Sequence, residues 1–123
     1  MTSSGLADVP PVEIDPSGRF KYVLAKVYTS ENAGDDDFQY FVRGFQWGAF
    51  HADIFEKLEA QIAGLGLSCE CVGGGRIVHQ PDQRKLEVFG YSQGYGRADH
   101  AITAGLLRKK YPGYEVTTSD EGY

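Results

Sequence analysis

The segment from Phe20 to Tyr28 constrains the fold more than any other. Phe20, Tyr22 and Leu24 fall on one face of an extended chain, and Val23, Ala25 and Val27 fall on the other together with Lys21. Both faces are mostly apolar, which predicts a central strand. Phe38 to Gly44, rich in aromatics and valine, predicts a second strand. Phe50, Ile54, Leu58, Ile62 and Leu65 recur at helical spacing, predicting a helix over 49–65 that Gly64 and Gly66 stop. Leu67 to Val72 predicts a third strand, running into Gly73-Gly74-Gly75. Arg76 to His79 and Lys85 to Tyr91 then form a hairpin closed by Gln80-Pro81-Asp82-Gln83. A Gly/Tyr loop over 90–96 leads into a second helix over 97–111, whose C-terminal dipole Arg108, Lys109 and Lys110 complement. Pro112-Gly113 ends that helix, and Tyr114 to Thr118 is the last strand. The order ββαβββαβ predicts an α+β fold, a single mixed sheet of about six strands flanked by two α-helices.

At 123 residues the chain fits one domain spanning 1–123, with 1–8 a loose arm and Glu31 to Asp37 a polar, acidic loop. Hydrophobic residues make up 41% and charged residues 24%, which suits a packed core and excludes a disordered chain. No apolar run approaches the ~20 residues needed to cross a bilayer. Met1-Thr2-Ser3-Ser4-Gly5 carries neither a basic nor an apolar targeting segment. The expectation is a soluble cytoplasmic protein with no membrane partner, monomer being the default at this size. A net charge of −5, from 12 Lys+Arg against 17 Asp+Glu, argues against nucleic acid as partner. Cys69 and Cys71 stand one residue apart, a poor disulfide spacing. No second Cys or Cys/His pair stands at metal-ligand spacing, so no metal is expected.

The residues able to carry chemistry are few. His51 lies at the start of the first predicted helix, where the positive end of the helix disfavours imidazolium and leaves a neutral nitrogen free as a base. The competing reading is a first-turn residue in an aromatic cluster with Trp47 and Phe50. His79, beside a turn, and His100, in the second helix, read as structural or solvated. Gly90-Tyr91-Ser92-Gln93-Gly94-Tyr95-Gly96 follows a strand and opens a helix, where backbone N–H groups collect into an anion site. Lys21 and Arg43 are lone cations in otherwise apolar or aromatic strands, and Arg76 follows three glycines. Such cations either snorkel to an edge or meet an anion. Together they suggest a pocket of phosphate size. Neither cysteine has the spacing to an arginine of the cysteine-dependent phosphatases, and Asp35-Asp36-Asp37 lacks the pattern of the aspartyl-phosphate enzymes. No Arg-His-Gly triplet is present. A metal-free site with a histidine is what remains.

Phe20-Lys21-Tyr22-Val23-Leu24, Val42-Arg43-Gly44, His51-Ala52-Asp53-Ile54, the run from Cys69 to Ile77, Gly90-Tyr91-Ser92 with Tyr95-Gly96, and Lys110-Tyr111-Pro112 stand in order along the chain. In these blocks the sequence resembles the small phosphohistidine phosphatase (Janus/Ocnus) family. The resemblance implies hydrolysis of phosphate from histidine in proteins, with no cofactor or metal. It also implies roles: His51 as proton acceptor, Lys21 as a substrate-binding lysine, Arg43 as a phosphate contact and Arg76 as a supporting cation. Ser92, Gln93 and Gly94 match the substrate-binding loop. Gln93-Gly94 departs from the Met-Ala of relatives, which leaves the backbone donors in place and bears on substrate preference. Two other classes compete. One is a phosphoprotein-binding module that keeps the pocket without turnover. The other is a single-stranded RNA-binding domain using the aromatics around Arg43-Gly44-Phe45.

Overall fold

The central position expected of the 20–28 segment is where the chain is found. In the computed structural model, which describes residues 9–28 and 38–119, Gly18–Tyr28 is a strand (β2) at the heart of a six-stranded sheet. Around it in chain order are β1 (Val12–Ile14), β3 (Phe38–Phe45), β4 (Cys69–Gln80), β5 (Lys85–Phe89) and β6 (Glu115–Thr118). Two helices complete the fold, α1 (His51–Ala63) and α2 (His100–Lys110). The strands lie in the order β1-β3-β2-β4-β5-β6. The outer pairs β1–β3 and β5–β6 are parallel and the inner pairs antiparallel, so the sheet is mixed. The expected arm at 1–8 and acidic loop at 31–37 fall outside the described residues.

Each face of β2 is covered by one helix. Val23, Ala25 and Val27 pack with Phe41 and Phe45 of β3 under Ile54, Phe55, Leu58 and Ile62 of α1. Phe20, Tyr22 and Leu24 pack with Val42, Ile77, Leu86 and Val88 under Ala104 and Leu107 of α2. Ile54, Leu58 and Ile62 thus form one buried stripe with Phe55, as the period requires, while Phe50, at the N-cap, is exposed and Leu65 lies beyond the helix end. Among the described residues no helix is long and apolar enough to cross a membrane.

Two strand assignments differ from the sequence reading. The third strand and the first strand of the expected hairpin are one strand, β4, which runs straight through Gly73-Gly74-Gly75. Here the glycines are thin backbone rather than a break. A Cβ at Gly73 would lie 2.5 Å from the Ala98 backbone, and one at Gly75 would lie 2.5 Å from the Phe89 carbonyl. Opposite Gly73 the register slips between Leu24 and Ala25, so Val72 is an extra, bulged residue. The second difference is β1. Val12–Ile14, not among the expected strands, pairs in parallel with Val42–Gly44 and buries Val12. The order is therefore βββαββαβ, with the same six strands in total. The hairpin turn holds, as a 3₁₀ turn over Pro81–Gln83 closed by Arg84 at φ 51°.

Candidate functional site

Sheet register brings two cations together. Lys21 of β2 pairs directly with Arg76 of β4, and their side chains share the α1 face. Like charges at opposed positions repel, so this pair costs stability unless an anion sits between or above it. No carboxylate among the described residues forms an ion pair with Lys21. Above them is a cavity of about 700 Å³, lined by Lys21, Arg76, His51 with its neighbours 49–52, and residues 91–95.

His51 is the first residue of α1, and its ring is fixed by the sheet. Nε2 stands 3.0 Å from the Gly75 carbonyl oxygen, which can only accept, so Nε2 carries the proton and Nδ1 is the basic nitrogen. Burial pushes the His51 pKa below its usual 6.5, the Gly75 contact opposes this, and the charges of Lys21 and Arg76 lower it further. The imidazole is held neutral. Asp53, its neighbour in sequence, does not orient it. The Asp53 carboxylate accepts from the Phe50 N–H at 3.0 Å, capping the helix. The N–H groups of His51 and Ala52 have no intrahelical acceptor and form the positive end of α1 beside the cavity.

The 90–96 loop faces this same helix end. Ser92 and Gly96 close it with a pair of backbone hydrogen bonds of 3.1 and 2.8 Å, and Gly96 also accepts from the Gly74 N–H at 3.0 Å. Ser92 is buried, its hydroxyl accepting from the Tyr95 N–H at 3.1 Å. The N–H groups of Gln93 and Gly94 meet no acceptor among the described residues. The loop was expected to serve the helix that follows it, but the N-terminus of α2 is closed by its own Asp99, which accepts from Ala101 N. The loop shares its cavity with the start of α1, about forty residues earlier in the chain.

Arg43 is the one expected site residue outside this group. It lies on the same sheet face but under α1, fully buried, with Nε 3.3 Å from Glu13 and 3.0 Å from Gln61 Oε1. Burial draws its pKa down to about 10 against the pull of Glu13. Its anion is thus a carboxylate supplied by β1, the strand that sequence reasoning overlooked. Tyr91, Phe50 and Tyr95 line the cavity and were not singled out; Phe50 at a helix cap, where Ser, Thr, Asp or Asn is preferred, was the available signal. No group of three or more His, Cys, Asp or Glu among the described residues could hold a metal.

The profile of the Janus/Ocnus family (Ocnus) matches residues 6–115. The chain belongs to the Janus/Ocnus family. It is 44% identical to the 14 kDa phosphohistidine phosphatase of Homo sapiens over 125 residues, covering 100% of both chains. The Sus scrofa protein of the same name is 44% identical over 123 residues, 98% of each. The sex-regulated protein janus-A of Drosophila yakuba is 51% identical over 123 residues, all of this chain and 88% of its own.

In this Janus/Ocnus chain the other two histidines are structural, as expected. His79 packs edge-on against Tyr111 and Tyr114 and donates from Nδ1 to the Asp15 carbonyl at 2.9 Å. His100 lies beneath Gly75, on the face opposite His51. Its Nε2 donates to the Gly90 carbonyl at 2.9 Å, holding the start of the 90–96 loop. Its Nδ1 accepts from the Tyr22 hydroxyl at 2.6 Å, which in turn lies 3.0 Å from Thr103 Oγ1. Burial raises the Tyr22 phenol far above its usual pKa, so it stays a donor. Tyr22→Phe leaves two buried polar groups without this partner and is expected to cost about 1–3 kcal/mol. Urea unfolding reads this as a lower midpoint at unchanged slope.

Proposed function

We propose that the chain is a protein phosphohistidine phosphatase that hydrolyses the P–N bond without metal or cofactor, as a cytoplasmic monomer. The observation that carries this is one cavity holding a neutral histidine base, two opposed cations and a set of unclaimed backbone donors. The names of the mammalian relatives support the substrate.

Phosphoryl transfer asks the protein mainly to position groups and stabilise charge. Lys21, Arg76, the Ser92 hydroxyl and the amides of Gln93 and Gly94 hold the phosphoryl oxygens, with the α1 N-terminus adding its field. A water placed between His51 and phosphorus loses its proton to Nδ1 while its oxygen bonds to phosphorus. The P–N bond breaks with its electron pair passing to the substrate imidazole, which leaves as the neutral ring when its other nitrogen carries a proton from solvent, and His51 then releases its proton to solvent. Arg43 acts at a distance, tying β3 to α1 and β1 rather than touching phosphate.

The test is phosphate release from a phosphohistidine peptide in excess EDTA. Release supports a metal-free phosphatase. Tight binding of the peptide without release would indicate a phosphoprotein reader instead.

The pH profile has a defined sign. His51 works as a base only when neutral, so activity holds above its lowered pKa and falls as pH drops through it. The acid limb of kcat/KM, which reports the free enzyme, therefore lies below pH 6.5. Lys21→Met removes one of the charges that lower this pKa, so the limb moves to higher pH. A limb that stays in place in the variant would detach Lys21 from the base.

A further inference from the structure

The large hydrophobic side chains left exposed among the described residues are Trp47, Phe50 and Tyr95. They gather at one place. Phe50 and Tyr95 line the cavity, and Trp47 stacks on Phe45, the residue paired with Lys21. We propose that this aromatic rim docks the polypeptide on either side of the phosphorylated histidine and selects apolar flanking residues. The proposal rests on the phosphatase reading and names what that site prefers.

Phe50 has no folding reason to be what it is. It occupies the N-cap of α1, where it offers no side-chain acceptor, and it is 70% exposed, so it gains little from burial. A local rule broken without structural gain marks a ligand-facing position. The other two rings are held rigid. Trp47 lies 5.1 Å from Phe45 at an interplanar angle of 14°, and the far anchor is Lys57, whose Nζ is 4.4 Å from the Phe45 ring centre. Tyr95 meets Phe55 edge-on at 5.9 Å. Aromatics fixed in this way offer contact area at little entropic cost.

The occupant follows from the layout of charge and size. The cations sit on the sheet and the rings around the mouth, so a ligand with a phosphoryl tip and an apolar body fits in one orientation only. A phosphoryl group with its imidazole, at ~30 Å³ per water-sized group, fills less than half of about 700 Å³. The remaining space and the rim suit the chain that carries the histidine.

The experiment compares kcat/KM for two phosphohistidine peptides, one with leucine and one with serine on each side of the histidine. Wild type is expected to prefer the leucine peptide by about tenfold, the value of roughly one buried apolar side chain. Phe50→Ser and Trp47→Ser should each erode that ratio, and Phe50→Ser places a favoured cap residue, so its fold is retained. Equal use of both peptides by wild type, or an unchanged ratio in both variants, overturns the docking surface while leaving the phosphatase intact. No release by wild type from either peptide sinks the phosphatase reading and the docking surface with it. A wild-type dimer that Phe50→Ser converts to monomer would assign the rim to a second copy and overturn the proposal.

Discussion

His51→Ala is expected to reduce phosphate release from a phosphohistidine peptide by roughly 10²–10⁴, the usual worth of a positioned general base. The loss should appear in kcat with little change in KM, because Lys21, Arg76 and the 92–94 amides still bind the phosphoryl group. His51 is only half-buried and its one hydrogen bond is to the Gly75 carbonyl, so circular dichroism and the melting temperature should change little. His51→Gln separates two roles. Its amide can still donate to Gly75 but cannot take a proton at neutral pH, so it should be as slow as alanine. Near-wild-type kcat in both variants would remove His51 from the chemistry. Trapping of stoichiometric acid-labile phosphate on His51 would replace the base mechanism by nucleophilic attack.

The second large effect is expected at a residue with no functional group. Gly74 lies directly beneath the site, and a Cβ there would stand 2.7 Å from His51 Cδ2, 2.9 Å from the Tyr22 carbonyl and 3.1 Å from Ser92 Cβ. The Tyr22 carbonyl belongs to the central strand and cannot yield, so His51 and Ser92 must. Gly74→Ala should therefore cost roughly 10²-fold in kcat, as a displacement of about 1 Å in a positioned group does. It should also cost about 1–3 kcal/mol of stability from overpacking. Gly105→Ala, in α2 and outside the cavity lining, is the control, since a Cβ there meets nothing within 4 Å. If Gly74→Ala keeps full activity, the close approach of His51 to β4 is not what positions the base.

The same three glycines show where sequence reasoning stopped. Read locally, Gly73-Gly74-Gly75 interrupts a strand, because glycine is a poor strand former and carries no side chain to pack. In the sheet the absence of side chains is the point. His51 and Ser92 press on Gly74 from one face, His100 and Tyr22 press on Gly75 from the other, and the Ala98 backbone crosses Gly73. All of those neighbours lie 18 or more residues away in sequence. Arg43 gives the same lesson about charge. A lone cation in an apolar strand was expected either to snorkel to an edge or to meet an anion, and nothing local says which of the two, or which anion. Glu13 meets it because β1 pairs with β3 in a register that sets Glu13 opposite Arg43.

His51, Lys21, Arg76 and the 92–94 loop were legible because each breaks its local pattern: a base at a helix start, cations in apolar strands, glycines before a helix. Periodicity likewise determined α1, the centrality of β2 and the α+β class, since burial of one stripe or two faces is written in residues a few positions apart. Which broken patterns meet in one cavity was decided only by the tertiary structure. Strand pairing set Lys21 against Arg76, and packing turned the 90–96 loop toward α1 rather than α2. It also sent Arg43 to a carboxylate instead of the cavity. These are long-range pairings, and their energies depend on register and close packing, which no window of the chain contains.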